Sequence, residues 1–264
     1  MRHSLSPVIH NAAFAAAEVD AVYLALPVAE GDGAEAVAAM RRFDMLGLSV
    51  TMPHKAAVLD ACDVLSDMAA ALGSANCLYW RDGAIHGDNT DGEGFVRGLG
   101  DELAVAPAGL RCAVLGAGGA ARAVVRALAG AGARDVVVVN RSPDRAAAAA
   151  EHAGAAGRVG SSDDLADADV IINATPLGMA GTSAAHELAF DVDVARNDAV
   201  VCDLIYNPTE TPLLAAAAAR GLTHQNGLSM LVFQAAVAFE HWTGVDAPLA
   251  AMKSAVAAAI AEHP

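Results

Sequence analysis

Lysine is almost absent from this chain: Lys55 and Lys253 stand against fourteen arginines. An arginine keeps its proton at any working pH, whereas a lysine with a shifted pKa can exchange one. Coding bias in an alanine-rich chain is one explanation for so few lysines; a lysine retained for proton transfer is another. Cysteine is also scarce. Cys62, Cys77, Cys112 and Cys202 are widely spaced and form no CxxC pair, so neither a zinc site nor a disulfide framework is suggested, and no metal is expected. No apolar run reaches the length of a membrane span, and MRHSLSP lacks the apolar core of a signal peptide. A net charge of −15 argues against nucleic acid or an anionic membrane as a partner. The expectation is a reduced, cytoplasmic protein, monomer or homodimer, acting on a small molecule. An anionic ligand would need strong local donors to overcome the acidic field.

What is present is an alternation of strand and helix signals. Residues 21–28 (AVYLALPV) and 46–53 (LGLSVTMP) read as buried strands with an amphipathic helix, 34–43, between them. Pro53 suits the first turn of a following helix. Residues 76–87 read as a hairpin around Asp82-Gly83. From residue 111 the alternation resumes in near-continuous apolar strands separated by helices, which points to a parallel sheet covered on both faces. The tail is helical over about 228–241 and 248–262. The fold class is therefore α/β in two lobes: residues 1–94, completed by helices within 228–264, and residues 95–227.

The second lobe carries CAVLGAGGAARAVVRAL, in which Gly116, Gly118 and Ala121 form G-x-G-x-x-A between a strand and a helix. Glycines there allow a tight turn and close approach to a pyrophosphate resting on the helix N-terminus, as in a Rossmann-type lobe. Gly116, Ala117, Gly118, Gly119, Ala120 and Ala121 are the candidate cradle. The end of the next strand indicates which dinucleotide binds. An NAD-binding fold usually carries an acid there for the ribose 2′-OH. Here VVVVNRSPDR places Asn140, Arg141, Ser142 and Arg145, and guanidinium groups pair well with a phosphate dianion. NADP is the expected cofactor. The plain alternative is a ligand-free glycine turn followed by ordinary helix-start charges.

A dinucleotide lobe does not say what is reduced. Polar clusters elsewhere supply candidates: Ser4 and Ser6 in HSLSP, Thr51 and Lys55 in VTMPHK, Asn76 in GSANCL, Asp88, Asn89 and Asp91 in GDNTDGEG, Tyr206 in DLIYNP and Gln234 in NGLSMLVFQAA. Singly, each has a structural explanation. Ser4 or Ser6 could cap a helix, as could Asp91; Gln234 and Lys55 could be solvated.

In combination and order, HSLSP, VTxPxK, GDNTDG, GAGGAAR, NRS, INATPLGM and NGLSMLVFQAA resemble the shikimate dehydrogenase family, including the quinate/shikimate enzymes, over essentially the whole chain. The resemblance implies reversible NADPH-dependent reduction of 3-dehydroshikimate to shikimate, a step of aromatic amino acid biosynthesis. It implies that Ser4, Ser6 and Tyr206 hold the substrate carboxylate and that Thr51, Asn76, Asp91 and Gln234 bind ring hydroxyls and the reacting oxygen. Lys55 and Asp91 would be the catalytic pair. Thr175, Leu204 and Gly227 would lie near the nicotinamide, and Asp67 would also touch the cofactor. Lys55, expected in a first helical turn, would feel the positive helix end while Asp91 favoured its charged form.

The sequence departs from the family pattern at three places. The usual short strand and Gly-x-Pro turn before HSLSP are not found ahead of Arg2-His3. The expectation is a start placed too far downstream, or a truncated chain, that leaves a sheet strand unpaired. Ser49 replaces a common asparagine, and Cys77 a usual threonine. Two other readings are an NAD-preferring quinate/shikimate dehydrogenase and a non-catalytic, metabolite-sensing paralogue.

Overall fold

The computed structural model describes residues 4–262, so the expectation about Arg2-His3 lies outside the described residues. One compact unit runs up to Thr90 and resumes at Val232; the other is Asp91–Leu231. The first contains α1 (Ser6–Ala16), α2 (Gly33–Arg42), β1 (Gly47–Ser49), β2 (Val64–Leu65), α3 (Asp67–Leu72), β3 (Cys77–Arg81) and β4 (Ala84–Asp88). The second begins with α4 (Asp91–Leu103), β5 (Arg111–Leu115), α5 (Gly119–Gly130), β6 (Asp135–Val139), α6 (Pro143–Ala150) and β7 (Gly157–Val159). It continues with β8 (Val170–Asn173), β9 (Val200–Asp203), α7 (Pro212–Ala219) and β10 (Thr223–Gln225). Helix α8 (Leu228–Thr243) starts in the second unit and passes into the first, which ends with α9 (Leu249–Glu262).

The second unit follows from its apolar strands. β8 and β9 are buried at every position, and the six strands are all parallel in the order β10-β9-β8-β5-β6-β7. Successive side chains alternate between two cores. Val114, Val138 and Ile172 pack with Phe95, Leu99, Val124 and Leu128 on one face. Ala113, Val137, Ile171 and Val201 pack with Leu165, Leu213 and Leu214 on the other. Burial of each Val or Ile contributes about 1.5–3 kcal/mol. Phe95 and Leu99, one turn apart, explain why α4 belongs with this unit. The strand order reverses direction between β5 and β8, where a doubly wound sheet opens a crevice at the strand C-termini.

The first unit is built on shorter strands in the order β1-β3-β4-β2. Its centre is the antiparallel β3–β4 hairpin, turned by Asp82 (φ 52°) and Gly83 (φ 77°) as a tight two-residue loop requires. Val37, Met40, Val58, Leu78 and Ile85 form the core on one side. His10 stacks on Tyr23 (4.6 Å) and lies 4.7 Å from Trp242, whose Nε1 donates to the Leu78 carbonyl at 3.0 Å. Burial lowers the His10 pKa to about 3, so it folds as a neutral ring.

Three local expectations are corrected here. The run 46–53 narrows to the half-buried strand β1, with Leu46, Thr51, Met52 and Pro53 exposed. Residues 21–28 are neither a strand nor buried: Val22, Leu24 and Leu26 are 69%, 65% and 46% exposed. An apolar run becomes a strand only beside a ladder partner. Here the Asn11 amide takes up both backbone groups of Tyr23 instead (2.7 and 3.0 Å). Nor is there an α-helix after Pro53. The segment is a series of turns in which the Lys55 carbonyl accepts from Ala75 N (2.8 Å), while Leu59 N bonds to Ala56 instead. The helix field expected at Lys55 is therefore missing.

Candidate functional site

In the first unit the polar residues gather at the end of the hairpin. Asn76, 4% exposed, precedes β3, and its amide reads both polar groups of Thr90. Its Nδ2 donates to Thr90 Oγ1 (3.1 Å) and its Oδ1 accepts from Thr90 N (2.8 Å). Thr90 Oγ1 in turn donates to the main-chain carbonyl of Gln234 on α8 (3.1 Å). Because Ala75 N bonds to the Lys55 carbonyl, Lys55 is held one residue from Asn76. Asn76, Gln234 and Lys55 are thus brought onto one frame. At the start of α1, Ser4 Oγ accepts from Ser6 N (3.3 Å) and the half-buried Tyr23 hydroxyl bonds to Ser6 and Ser49. Burial raises the Tyr23 pKa against those two hydrogen bonds, so the phenol stays neutral and available to orient Ser6. Thr51 is exposed, its carbonyl taken by His54 N (3.0 Å). Asp67 is an exposed acid in the first turn of α3, a helix capped by Ser66.

In the second unit the sheet brings its candidates to the strand C-termini. Gly116 has φ +112°, and a Cβ there would stand 2.8 Å from the Ala174 carbonyl, so only glycine fits. Gly118 is the N-cap of α5 without a side-chain cap, and a Cβ at Gly118 or Gly119 would meet nothing within 4 Å. An uncapped 12-residue helix behind an open, glycine-lined surface is a fit for a pyrophosphate. Ala117 and Ala120 complete the turn, and Ala121 is fully buried against the sheet. At the end of β6, Asn140 Nδ2 donates to the Ser142 carbonyl (3.1 Å), and Ser142 Oγ caps α6 by accepting from Arg145 N. Arg141 and Arg145 are exposed, free of the apolar core, as contact with a phosphate requires. Asp91 opens α4 in this unit and is 8% exposed.

Asn173, at the end of β8, organises the rest. Its Oδ1 accepts from Thr175 N and Oγ1 (3.0 and 2.7 Å), and its carbonyl accepts from Leu204 N (2.9 Å). Gly227 N bonds to the Ile205 carbonyl (3.0 Å), and a Cβ on Gly227 would lie 2.1 Å from the Leu204 carbonyl. Thr175, Leu204 and Gly227 are therefore one cluster, with Tyr206 next along the chain. Asp203 anchors it: its carboxylate accepts from Asn173 Nδ2 (3.0 Å), Ile205 N (3.0 Å) and Thr211 Oγ1 (2.7 Å). Asn173, Asp203, Thr211, Tyr23 and Thr90 tie the candidate residues together through hydrogen bonds and are not among the candidates drawn from the sequence. Their signal, a polar residue terminating an apolar strand or beginning a loop, also describes many purely structural residues.

Three stretches of the chain match known protein families. Residues 1–78 match the shikimate dehydrogenase substrate binding domain, 227–257 the shikimate 5'-dehydrogenase C-terminal domain, and 111–204 an NADP oxidoreductase, coenzyme F420-dependent. Shikimate dehydrogenase (NADP(+)) of Moorella thermoacetica is 44% identical over 262 residues, spanning 96% of this chain and 88% of that protein. Among solved structures, shikimate 5-dehydrogenase of Thermus thermophilus in complex with NADP(H) and shikimate superposes with a TM-score of 0.89 at 34% identity (98% and 95% coverage). Quinate dehydrogenase of Corynebacterium glutamicum in complex with NAD gives 0.87 at 32% (97% and 95%). No helix among the described residues is long and apolar enough to cross a membrane. The chain belongs to the shikimate dehydrogenase family.

Proposed function

We propose that this chain interconverts 3-dehydroshikimate and shikimate with NADP as its cofactor, Lys55 and Asp91 acting together in proton transfer. The observation that carries the reading is the buried Asn76–Thr90–Gln234 frame with Lys55 tied beside it. Ser4, Ser6 and Tyr206 offer neutral hydroxyls, which hold a carboxylate by hydrogen bonds despite the acidic chain. Thr51, Asn76 and Gln234 supply amide and hydroxyl groups for the ring oxygens. The Gly116–Ala121 turn, with Asn140, Arg141 and Arg145, would hold NADP, with Thr175, Leu204 and Gly227 near its nicotinamide; when bound it would supply the hydride chemistry. Reduction leaves negative charge on the former carbonyl oxygen, and Lys55 Nζ, with Asp91 as its partner, gives that oxygen a proton. In the reverse direction the same pair removes the hydroxyl proton. Cofactor preference follows from the end of β6, where Arg141 and Arg145 stand in place of a carboxylate. The test is an assay of shikimate oxidation run in parallel with NADP⁺ and NAD⁺. Turnover strongly favouring NADP⁺ is expected; no turnover, or equal use of NAD⁺, would sink the assignment.

A further inference from the structure

Gln234 and His241 stand seven residues apart on α8, two turns along one helix face. Each reaches the C-terminal end of β4. At Gln234 the tie is the Thr90 hydroxyl donating to its main-chain carbonyl. At His241 it is Asp88, the last residue of β4: Nε2 lies 3.3 Å from Asp88 Oδ2, a distance the Nε2–H tautomer serves as donor. The other oxygen, Oδ1, accepts from the Ser66 hydroxyl and from Asn89 N (2.7 Å). One carboxylate thus gathers the cap of α3, the first amide of the Asn89-Thr90 loop and the last turn of α8. The imidazole plane is fixed as well, because Tyr79 stacks on it at 4.3 Å and 3°. Asn89 carries the order inward, its Nδ2 donating to the Ser74 carbonyl (2.9 Å) two residues from Asn76.

The geometry points to His241 as a positioning residue for the substrate site: through Asp88 it sets the Asn89-Thr90 loop, and with Thr90 it fixes α8 so that Gln234 and Asn76 face the ring in register. This rests on the assignment of Asn76 and Gln234 to substrate. A leucine at 241 would keep the packing on Tyr79 and lose the donor to Asp88. A glutamine would keep a neutral N–H at a similar reach.

The experiment compares His241→Leu and His241→Gln with the wild-type enzyme in three readouts: KM for shikimate and for NADP⁺, thermal midpoint, and hydrogen exchange of the Asn89 and Thr90 amides in the free protein. His241→Leu is expected to raise KM for shikimate about tenfold, the scale of one lost hydrogen bond. KM for NADP⁺ should stay within about twofold by the same reasoning, and exchange at Asn89 and Thr90 should quicken. His241→Gln should restore both. Unchanged exchange in His241→Leu, a His241→Gln enzyme as impaired as His241→Leu, or a lowered thermal midpoint with wild-type KM would each overturn the role. A wild-type enzyme inactive on shikimate would instead break the functional reading, while amide exchange, which needs no substrate, would still decide on the brace.

Discussion

Strands β4 and β9, one in each unit, both end on an aspartate that gathers three donors. Asp203, 1% exposed, takes Asn173, Thr211 and the Ile205 amide. Asp88, with a side chain 18% exposed, takes Ser66, the Asn89 amide and His241. Yet the two carboxyls move in opposite directions. Burial holds Asp203 above the usual carboxylate range, and its hydrogen bonds only reduce the effect. Burial pushes Asp88 up too, but hydrogen bonds from His241, Ser66 and Asn89 outweigh it, and the charge on His241 when protonated adds to them. The difference is one donor that can become a cation, together with some access to water. In the second unit the carboxylate serves a fixed frame of neutral groups at the C-terminal ends of β8 and β9. In the first it belongs to a polar hub that joins His241, Ser66 and the Asn89 amide.

If the units divide the labour in this way, substitutions should separate by kinetic constant. The largest effect is expected at Lys55. Lys55→Met should lower kcat by about 10²–10⁴-fold, the usual contribution of a general acid–base group, with substrate affinity within a few-fold. Lys55→Arg should not rescue it, because a guanidinium keeps its proton. Steady-state kinetics decide: near-full kcat in Lys55→Arg would mean that positive charge alone suffices. Next in size, Arg141→Ala in the second unit should raise KM for NADP about 10–100-fold, the scale of a charged hydrogen bond, with little change for NAD. Equal losses with both cofactors would remove the 2′-phosphate contact and, with it, the division between the units.

Stability should separate the two aspartates more gently. Asp203→Ala leaves three buried donors without an acceptor and is expected to cost about 2–4 kcal/mol. Asp88→Ala, nearer to water, should cost about 1–2 kcal/mol on the same grounds. Urea unfolding gives both numbers, and a reversed order would contradict the ranking by burial.

How much of this was legible in the chain also differs between the units. The second was readable because Val136–Val138 and Val170–Ile172 are buried on both faces, and an apolar run with helices on either side has few other solutions. The glycine turn was readable because Gly116 does a job no other residue can do. In the first unit the hairpin at Asp82-Gly83 was legible from its turn chemistry. The run 21–28 was not, since its letters suit a strand whether or not a partner lies alongside. The turns after Pro53 were equally hidden: what replaces the helix is a hydrogen bond from Ala75, twenty residues away in sequence. Site residues named singly, such as Lys55 and Gln234, stood out by family resemblance. Asp88 stood out in its polar cluster, but its partners did not; the other groups that tie the candidate residues together, Thr90, His241, Asn173 and Asp203, do so by contacts between distant segments, which a single sequence does not display.

The smallest expected effect tests the comparison most directly, because it depends on the sign of each shift. A carboxyl whose folded pKa is depressed adds stability at pH values above the ordinary unfolded value of 3.8 and loses it as pH falls through the folded value. Asp88 is of this kind. A carboxyl whose folded pKa is raised costs stability at neutral pH, and that cost fades as acid protonates it on the way down to 3.8. Asp203 is of this kind. Asparagine at either position removes the titration while keeping a polar side chain of the same shape. Between pH 7 and the ordinary carboxylate value, the wild-type protein should therefore gain stability relative to Asp203→Asn, with Asp88→Asn running parallel to wild type. Below that value the wild type should lose ground to Asp88→Asn, while its difference from Asp203→Asn levels off. Urea midpoints measured along the titration supply both curves. Slopes of the same sign for the two variants would mean that the His241 side of the Asp88 hub does not favour the charged carboxylate, and the contrast between the two strand ends would fall.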